Sequence, residues 1–363
     1  MSSRDAIWVL GTMSGTSLDG VDAAMVRTDG HTVFDFARHG YRAYSAAERD
    51  VIRTAFGQTD GTQVQAAAEV VEIAHVELIQ TFPEAELIGF HGQTVLHLPA
   101  QQKTVQVGDG RVLAKALDRP VVWDFRSADM VLGGQGAPLA PFYHFALAKR
   151  LGFDRPVAFL NLGGVGNLTW LDPTANAPET PGACLAFDTG PANALINDLC
   201  QSALNQPMDK GGALAARGTV DTDVLTRMMA AEYFRKSPPK SLDRNDFSQW
   251  SDLVSKLGTA DAIATLAAGT VEAVAQSLTH CPTAPSRVLV AGGGRHNGHI
   301  MRRLAETLPC PVTDVDDHNL NGDMLEAEAF AYLAARVLYG QPTSAPGTTG
   351  VAAPVGGGQI SRP

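Results

Sequence analysis

The feature that most constrains this chain is a weak internal repeat. Residues 7–26 read as a strand, a glycine-rich turn and a second strand. Residues 157–171 repeat that order as Val-Ala-Phe-Leu-Asn-Leu-Gly-Gly-Val-Gly-Asn-Leu-Thr-Trp-Leu. Later in each half an apolar strand runs into glycine: Leu-Ile-Gly-Phe-His-Gly at 87–92 and Val-Leu-Val-Ala-Gly-Gly-Gly at 288–294. Each hairpin alone would be an ordinary turn. Their recurrence in the same order predicts two similar lobes with a cleft between them.

The surrounding pattern gives the fold class. Short apolar runs at 7–10, 21–26, 87–90, 121–125, 157–162, 168–171, 184–187 and 288–291 read as strands. Amphipathic stretches at 62–80, 110–117, 138–151, 191–204, 261–279, 298–308 and 323–338 read as helices. In the 261–279 stretch, Ile263, Leu266, Ala267, Thr270, Val271, Val274 and Leu278 share one helical face. Strands interleaved with helices argue an α/β fold. A length of 363 residues suits two domains. Gly133, Gly134 and Gly136 mark the expected boundary, giving a first lobe at 1–130 and a second at 131–340. The segment 341–363, rich in Gly, Pro, Ser and Thr, reads as loop.

Composition narrows the function. Hydrophobic residues at 45% and charged residues at 18% describe a globular chain. Lys+Arg 28 against Asp+Glu 38 leaves a net charge of -10, which disfavours nucleic acid as a partner. Cys184, Cys200, Cys281 and Cys310 show neither paired spacing nor a zinc pattern, so a reducing compartment is expected. The apolar run at 7–10 is too short for a signal peptide, and no stretch reaches the roughly 18 apolar residues of a membrane span. The expectation is a cytoplasmic protein with no membrane partner.

Three glycine-rich turns could hold an anion. The first is Gly11-Thr12-Met13-Ser14-Gly15-Thr16-Ser17-Leu18-Asp19-Gly20-Val21-Asp22, between two strands. Its glycines let backbone N–H groups converge on phosphate, and its hydroxyls add donors. Asp19 and Asp22 could hold Mg²⁺ through water, since hard cations take oxygen ligands. The others are Asn161-Leu162-Gly163-Gly164-Val165-Gly166-Asn167 and Gly292-Gly293-Gly294-Arg295-His296-Asn297; the latter leads from strand to helix. Neither a Walker A signature nor a G-x-G-x-x-G occurs.

Two carboxylates stand out. Asp188 follows an apolar strand and precedes Pro191, where a helix is expected to open; it serves either as a general base or as a helix N-cap. Glu326 shares a helical face with Phe330, Leu333 and Val337, which points it inward, toward a ligand or a buried partner. His91, Gln93 and Thr94 directly follow a strand and suit a polar ligand such as a sugar. Arg126 closes Asp124-Phe125-Arg126, where it could pair with a substrate carboxylate or with Asp124 or Asp129.

Together these segments resemble the anhydro-N-acetylmuramic acid kinases. The carrying stretches run from Met13-Ser14-Gly15-Thr16-Ser17-Leu18-Asp19-Gly20, through His91-Gly92-Gln93-Thr94, Asp124-Phe125-Arg126 and Gly133-Gly134-Gln135-Gly136-Ala137-Pro138-Leu139. They continue with Asn161-Leu162-Gly163-Gly164, Phe187-Asp188-Thr189-Gly190-Pro191, Pro239-Lys240-Ser241, Gly292-Gly293-Gly294 and Glu326-Ala327-Glu328-Ala329-Phe330-Ala331. They follow family order over nearly the whole chain. Even 349–360 resembles a family ending that packs on the first lobe.

The resemblance implies the actin/Hsp70/sugar-kinase (ribonuclease H-like) fold, with ATP and sugar in the cleft. It implies conversion of 1,6-anhydro-N-acetylmuramic acid, ATP and water to N-acetylmuramic acid 6-phosphate and ADP, with Mg²⁺, in cell-wall recycling. It suggests a homodimer. Asp188 matches the family's catalytic Asp and Glu326 its second carboxylate. Gly15, Thr16, Ser17, Leu18, Asp19, Gly20, Val21, Asp22, Asn161, Gly163, Gly164, Gly292, Gly293 and Gly294 would hold the nucleotide, with Asp19 reaching Mg²⁺ through water. Ser14, His91, Gln93, Thr94 and Arg126 would contact the sugar. Two departures are Ala192, where the family often has glycine, and Ser127-Ala128 in place of a more basic run. The competing readings are an ordinary sugar or carboxylate kinase on the same fold and a nucleotide-dependent binding module.

Overall fold

The computed structural model describes residues 5–242 and 246–363. The chain forms two compact units. The first comprises the residues up to Gly152, Ala175–Ala183 and Met324–Pro363; the second comprises Phe153–Thr174 and Cys184–Asp323. These bounds differ from a division at 130/131. Residues 131–152 and 324–340 fall in the first unit, where the buried Tyr143 hydroxyl donates to Glu328 Oε2 at 2.5 Å.

The first unit opens with β1 (Ile7–Ser14), β2 (Gly20–Thr28) and β3 (Val33–Ala43), followed by α1 (Ala46–Thr54) and α2 (Thr62–Ile79). Then come β4 (Leu87–Leu98), β5 (Lys103–Val107), α3 (Gly110–Leu117), β6 (Val121–Trp123), α4 (Ser127–Val131) and α5 (Pro141–Arg150). Helix α1 starts at a capping box: Ser45 Oγ accepts from the Glu48 N–H, and Glu48 Oε2 accepts from the Ser45 N–H. Strands run β6-β4-β1-β2-β3 across the sheet, with β5 also paired to β4. Leu10, Val21, Val71, Ile88, Phe90 and Val121 belong to the apolar core beneath it.

The second unit holds β7 (Val157–Leu162), β8 (Val165–Leu171), β9 (Cys184–Pro191), α6 (Asn193–Leu204), α7 (Thr222–Met229), α8 (Gln249–Val254) and α9 (Thr259–Ser277). It ends with β10 (Val288–Ala291), α10 (Gly298–Thr307) and β11 (Val312–Asp314). Its sheet order is β11-β10-β7-β8-β9. Helix α9 is buried on most of its faces rather than on one, because it lies within a core that includes Leu160, Phe187, Trp250 and Val290.

The repeat read from the sequence is a repeat of topology. In each sheet the first strand pairs antiparallel with the second and the second antiparallel with the third. Setting aside β5, which pairs antiparallel with β4, the first also pairs parallel with the fourth, and the fourth parallel with the next. Strands β1, β2, β3, β4 and β6 thus correspond to β7, β8, β9, β10 and β11. Two such α/β units have the strand order expected of the actin/Hsp70/sugar-kinase fold.

The chain returns to the first unit through α11 (Leu325–Leu338), α12 (Pro346–Thr349) and β12 (Gln359–Ser361). Segment 341–363 is mostly loop, as its composition reads, but it carries α12 and β12 and belongs to the first unit. Strand β12 pairs antiparallel with β6, Ile360 facing Val122, and Trp123 Nε1 donates to Ser361 Oγ at 3.0 Å. Val351 and Val355 are buried.

Helix α11 lies directly on the sheet because two strand residues lack side chains. A Cβ on Gly11 would sit 1.9 Å from the Ala327 carbonyl oxygen, and one on Gly89 would sit 2.3 Å from that of Phe330. Both contacts are with backbone, which cannot swing aside. Gly11→Val should therefore lower stability by about 3 kcal/mol or more. Calorimetry reads this as a fall in Tm, and an unchanged Tm would show that α11 is not seated on those glycines.

Candidate active site

In the second unit the glycine turns form one assembly. Gly163 and Gly164 make the β7–β8 turn, and their carbonyls accept from the N–H groups of Asn193 and Ala192, each at 3.0 Å. Asn193 Nδ2 donates to the Leu162 carbonyl at 2.8 Å. The turn after β10 abuts this hairpin so closely that a Cβ on Gly292 would lie 2.1 Å from Asn161 Oδ1. Gly292 also has φ 73°, a conformation that favours glycine. Gly294 is packed against Leu162 and Asn193. Gly164 and Gly293 are the open members. Both are exposed, and a Cβ on Gly293 would meet nothing within 4 Å. Asn161, Gly163, Gly164, Gly292, Gly293 and Gly294 thus gather around bare main chain that a phosphate or a flat purine could approach.

Arg295 does not serve that anion site. Its buried guanidinium pairs with Asp314, Asp316 and Asp323 and donates to the Gly292 carbonyl at 3.2 Å. It braces the turn.

Asp188 sits on β9, beside the same hairpin. Asn167 pairs with Asn161 across β7 and β8, and its Nδ2 donates to Asp188 Oδ1 at 2.8 Å. The Leu242 N–H donates to Oδ2 at 2.8 Å. The Asp188 main chain is held too: its N–H donates to the Lys240 carbonyl, and its carbonyl accepts from the Tyr233 hydroxyl at 2.7 Å. The N-cap alternative is excluded, because α6 begins at Asn193 with Ala192 at its cap. Burial pushes the Asp188 carboxyl up from the ordinary range, partly offset by the Asn167 and Leu242 bonds. The result is a carboxylate fixed at both oxygens and readier than usual to take a proton.

Sequence reasoning missed the residues that hold it. Tyr233 carried no local signal. Lys240 stood within a quoted motif but without a role. Its ammonium is buried over the Tyr233 ring, 4.8 Å from the centroid, and burial draws it down to about 8.

In the first unit the turn after β1 leaves Thr16, Ser17 and Asp19 exposed, with Gly15 half-buried. Leu18 and Val21 lie in the apolar core, and Gly20 is packed against the Arg42 carbonyl. Any contact these three make with a ligand is confined to main chain. Asp22 pairs with Met13 and Tyr41 across β2. The Asp19 carbonyl accepts from the Tyr41 hydroxyl at 2.8 Å and from the Tyr44 N–H at 3.0 Å, which fixes the turn. Among the described residues no group of three or more His, Cys, Asp or Glu side chains could hold a metal ion. Exposed hydroxyls with a single carboxylate suit a cation that arrives already bound to phosphate.

The expected sugar contacts separate into two kinds. Ser14 and Gln93 are buried and satisfy each other, Ser14 Oγ donating to Gln93 Oε1 at 2.5 Å. They shape the floor beneath the turn rather than offering free donors. Thr94 Oγ1 accepts from Gln106 Nε2 at 3.3 Å. His91, Arg126 and Glu326, by contrast, form an electrostatic set. Arg126 donates through Nε and Nη2 to His91 Nε2 at 3.2 and 2.9 Å. Since Arg offers only donors, His91 Nε2 accepts, and its Nδ1–H donates to the Gly92 carbonyl at 2.9 Å. Burial and the Arg126 charge hold His91 well below the usual imidazole range, so it is neutral. Burial draws Arg126 down to about 10, opposed by the charges of Glu326 and Asp129.

Of the two alternatives for Glu326, a buried partner is excluded and a ligand is left: its side chain is exposed, and Glu328 is the buried carboxyl of α11. Surrounding protein pushes the Glu326 carboxyl upward, and Arg126 opposes the shift. Burial raises Glu328 to about 7, with Tyr143 as its partner.

The comparisons with known proteins agree with one another. The family model for anhydro-N-acetylmuramic acid kinase matches residues 7–362. An anhydro-N-acetylmuramic acid kinase from Cereibacter sphaeroides is 60% identical, covering 100% of this chain and 98% of its own length. Another from Ruegeria sp. is 58% identical, covering 100% and 97%. Among solved structures, a ROK family glucokinase from Streptomyces griseus aligns with 91% of this chain and 99% of its own, at 14% identity and a TM-score of 0.43. That last likeness is too distant to bear on function. With a family match and full-length relatives that both span the hairpins, the Asp188 strand and α11, the chain belongs to the anhydro-N-acetylmuramic acid kinase family.

Proposed function

We propose that the protein uses ATP and water to convert 1,6-anhydro-N-acetylmuramic acid to N-acetylmuramic acid 6-phosphate and ADP, a step of peptidoglycan recycling. The observation that carries this reading is the carboxylate of Asp188. It is fixed at both oxygens, raised by burial, and tied through Asn167 to the hairpin that bears the open glycine turn.

The substrate dictates what that carboxylate does. In a 1,6-anhydro sugar O6 is bonded to C1 and carries no proton, so a base that deprotonates a hydroxyl has nothing to act on. Asp188 instead takes a proton from water. The water oxygen bonds to C1 as the C1–O6 bond breaks, and O6 takes the γ-phosphoryl group of ATP while ADP leaves. Phosphoryl transfer asks mainly for positioning and charge neutralisation. The main chain at Gly163, Gly164, Gly292, Gly293 and Gly294 approaches the nucleotide, and the 15–19 turn supplies hydroxyl donors to phosphate. Asp19 would hold Mg²⁺ through water, and the cation would supply neutralisation of phosphate charge. Arg126 pairs with the lactyl carboxylate of the sugar, His91 holds that guanidinium in place, and Glu326 orients sugar or water.

The setting that goes with this reaction is a cytoplasmic homodimer acting on small molecules. The net charge of -10 argues against a nucleic-acid partner, and no helix among the described residues is long and apolar enough to cross a membrane.

Mass spectrometry with Mg-ATP, the anhydrosugar and ¹⁸O-water tests the reading. The expected product is the 6-phosphate carrying ¹⁸O at C1, trapped before anomeric exchange. Turnover of a ring-open amino sugar, with none of the anhydrosugar, would instead assign an ordinary sugar kinase.

A further inference from the structure

Arg126 is held from two sides, and only one of them is His91. Its Nη1 donates to the Gly136 carbonyl at 3.0 Å. The N–H of the same Gly136 donates to Asp129 Oδ2 at 2.7 Å. Gly136 is therefore a bridge, with one face on the guanidinium and the other on a carboxylate. Asp129 is 1% exposed. Its other oxygen accepts from Ser344 Oγ at 2.5 Å and Thr349 Oγ1 at 2.7 Å, both from segment 341–363. The Gln135 N–H donates to the Thr349 carbonyl at 2.8 Å, alongside. Gly134 has no room for a side chain, since a Cβ there would lie 2.1 Å from Asp129 Oδ2.

A buried carboxylate usually faces a cation or caps a helix. Asp129 caps no helix, and although its charge acts on Arg126, no Lys or Arg pairs with it at salt-bridge distance among the described residues. Its hydrogen bonds are all to a loop and to a distant stretch of chain, and the loop ends at the carbonyl that Arg126 grips. We infer that Asp129 is a positioning residue for Arg126, and that Ser344 and Thr349 take part through it in recognition of the substrate carboxylate. This rests on the pairing of Arg126 with the lactyl group proposed above.

The test compares binding of two sugars by calorimetry: 1,6-anhydro-N-acetylmuramic acid, and 1,6-anhydro-N-acetylglucosamine, which lacks the lactyl carboxylate. In Asp129→Ala the first should bind on the order of tenfold more weakly, a loss of about 1.4 kcal/mol. The second should change by less than about twofold, because it makes no charge-assisted bond to Arg126. Asp129→Asn should keep most of the preference. Its oxygen can still accept from Gly136, and the Ser344 and Thr349 hydroxyls can rotate to accept from its amide. Should Asp129→Ala fail to fold, the double variant Ser344→Ala, Thr349→Val removes the donors without touching the carboxylate, and a smaller loss in the same direction is expected. Equal weakening of both sugars would overturn the inference, since a general packing defect does not distinguish them. Arg126→Gln separates the two claims. If it spares the preference, the Arg126 pairing falls and this inference with it. If it abolishes the preference while the Asp129 and Ser344/Thr349 variants leave it intact, only the positioning role falls.

Discussion

Asp188→Asn lowers kcat by about 10²–10⁴-fold, the usual contribution of a positioned general base, while ATP and sugar affinities stay within about twofold. The structure makes this a clean substitution. Asp188 Oδ2 accepts from the Leu242 N–H, which an Asn oxygen can still satisfy. Oδ1 accepts from the Asn167 amide, which can turn over to present its own oxygen to an Asn amide. The shape and hydrogen bonds survive, and the capacity to take a proton does not. In the unsubstituted protein the raised Asp188 carboxyl has a second consequence. The base is active only when ionised, so activity is lost as pH falls through its folded value. That acidic limb of the kcat profile should lie above the ordinary aspartate range. A variant with unimpaired turnover would remove Asp188 from the chemistry, and a limb within the ordinary range would remove burial as its tuning.

Sequence alone carried the outline of both sheets, for a physical reason. Strands β7 and β10 are buried on both faces and followed by glycine, so 157–162 and 288–291 stand out as short apolar runs with a sharp end. Strand β3 was missed because it is a largely exposed edge strand. Only Val33 is fully buried among its eleven residues, which leaves no apolar alternation to read. Strand β12 is invisible for another reason: its three residues are extended because β6 pairs with them, and a Gly- and Pro-rich composition does not announce a partner that lies more than two hundred residues earlier.

The site shows the same limits. The glycine turns were legible because glycine is the residue that bare-backbone contact requires. The orientation of Glu326 was not. Helical periodicity put Glu326 on the face of Phe330 and Leu333, but α11 also buries the opposite face, against Tyr143, so both faces are apolar and periodicity cannot tell which carboxylate is buried. Glu328 took that place. Nor could spacing distinguish Ser14 and Gln93, which satisfy each other, from groups left free for a ligand. That distinction is a matter of pairing across β1 and β4.

Gly164→Val should weaken ATP binding on the order of tenfold or more, about 1.4 kcal/mol at the least, with sugar affinity within about twofold. The choice of glycine decides whether such a result can be interpreted. Gly292 stands in the same assembly, but its φ of 73° and the 2.1 Å approach to Asn161 Oδ1 mean that any side chain there would deform the turn itself. A loss of ATP binding in that variant would report misfolding as readily as contact. At Gly164 a Cβ would meet only the Ala194 Cβ, at an ordinary 3.5 Å, and the residue is exposed. The valine methyl groups therefore stand over the open main chain without disturbing what lies beneath it, and Tm should hold. Calorimetric titration with ATP and then with the sugar reads both affinities on one folded protein. If ATP affinity holds at an unchanged Tm, the β7–β8 turn makes no contact with the nucleotide, and recognition must shift to the 292–294 and 15–19 turns.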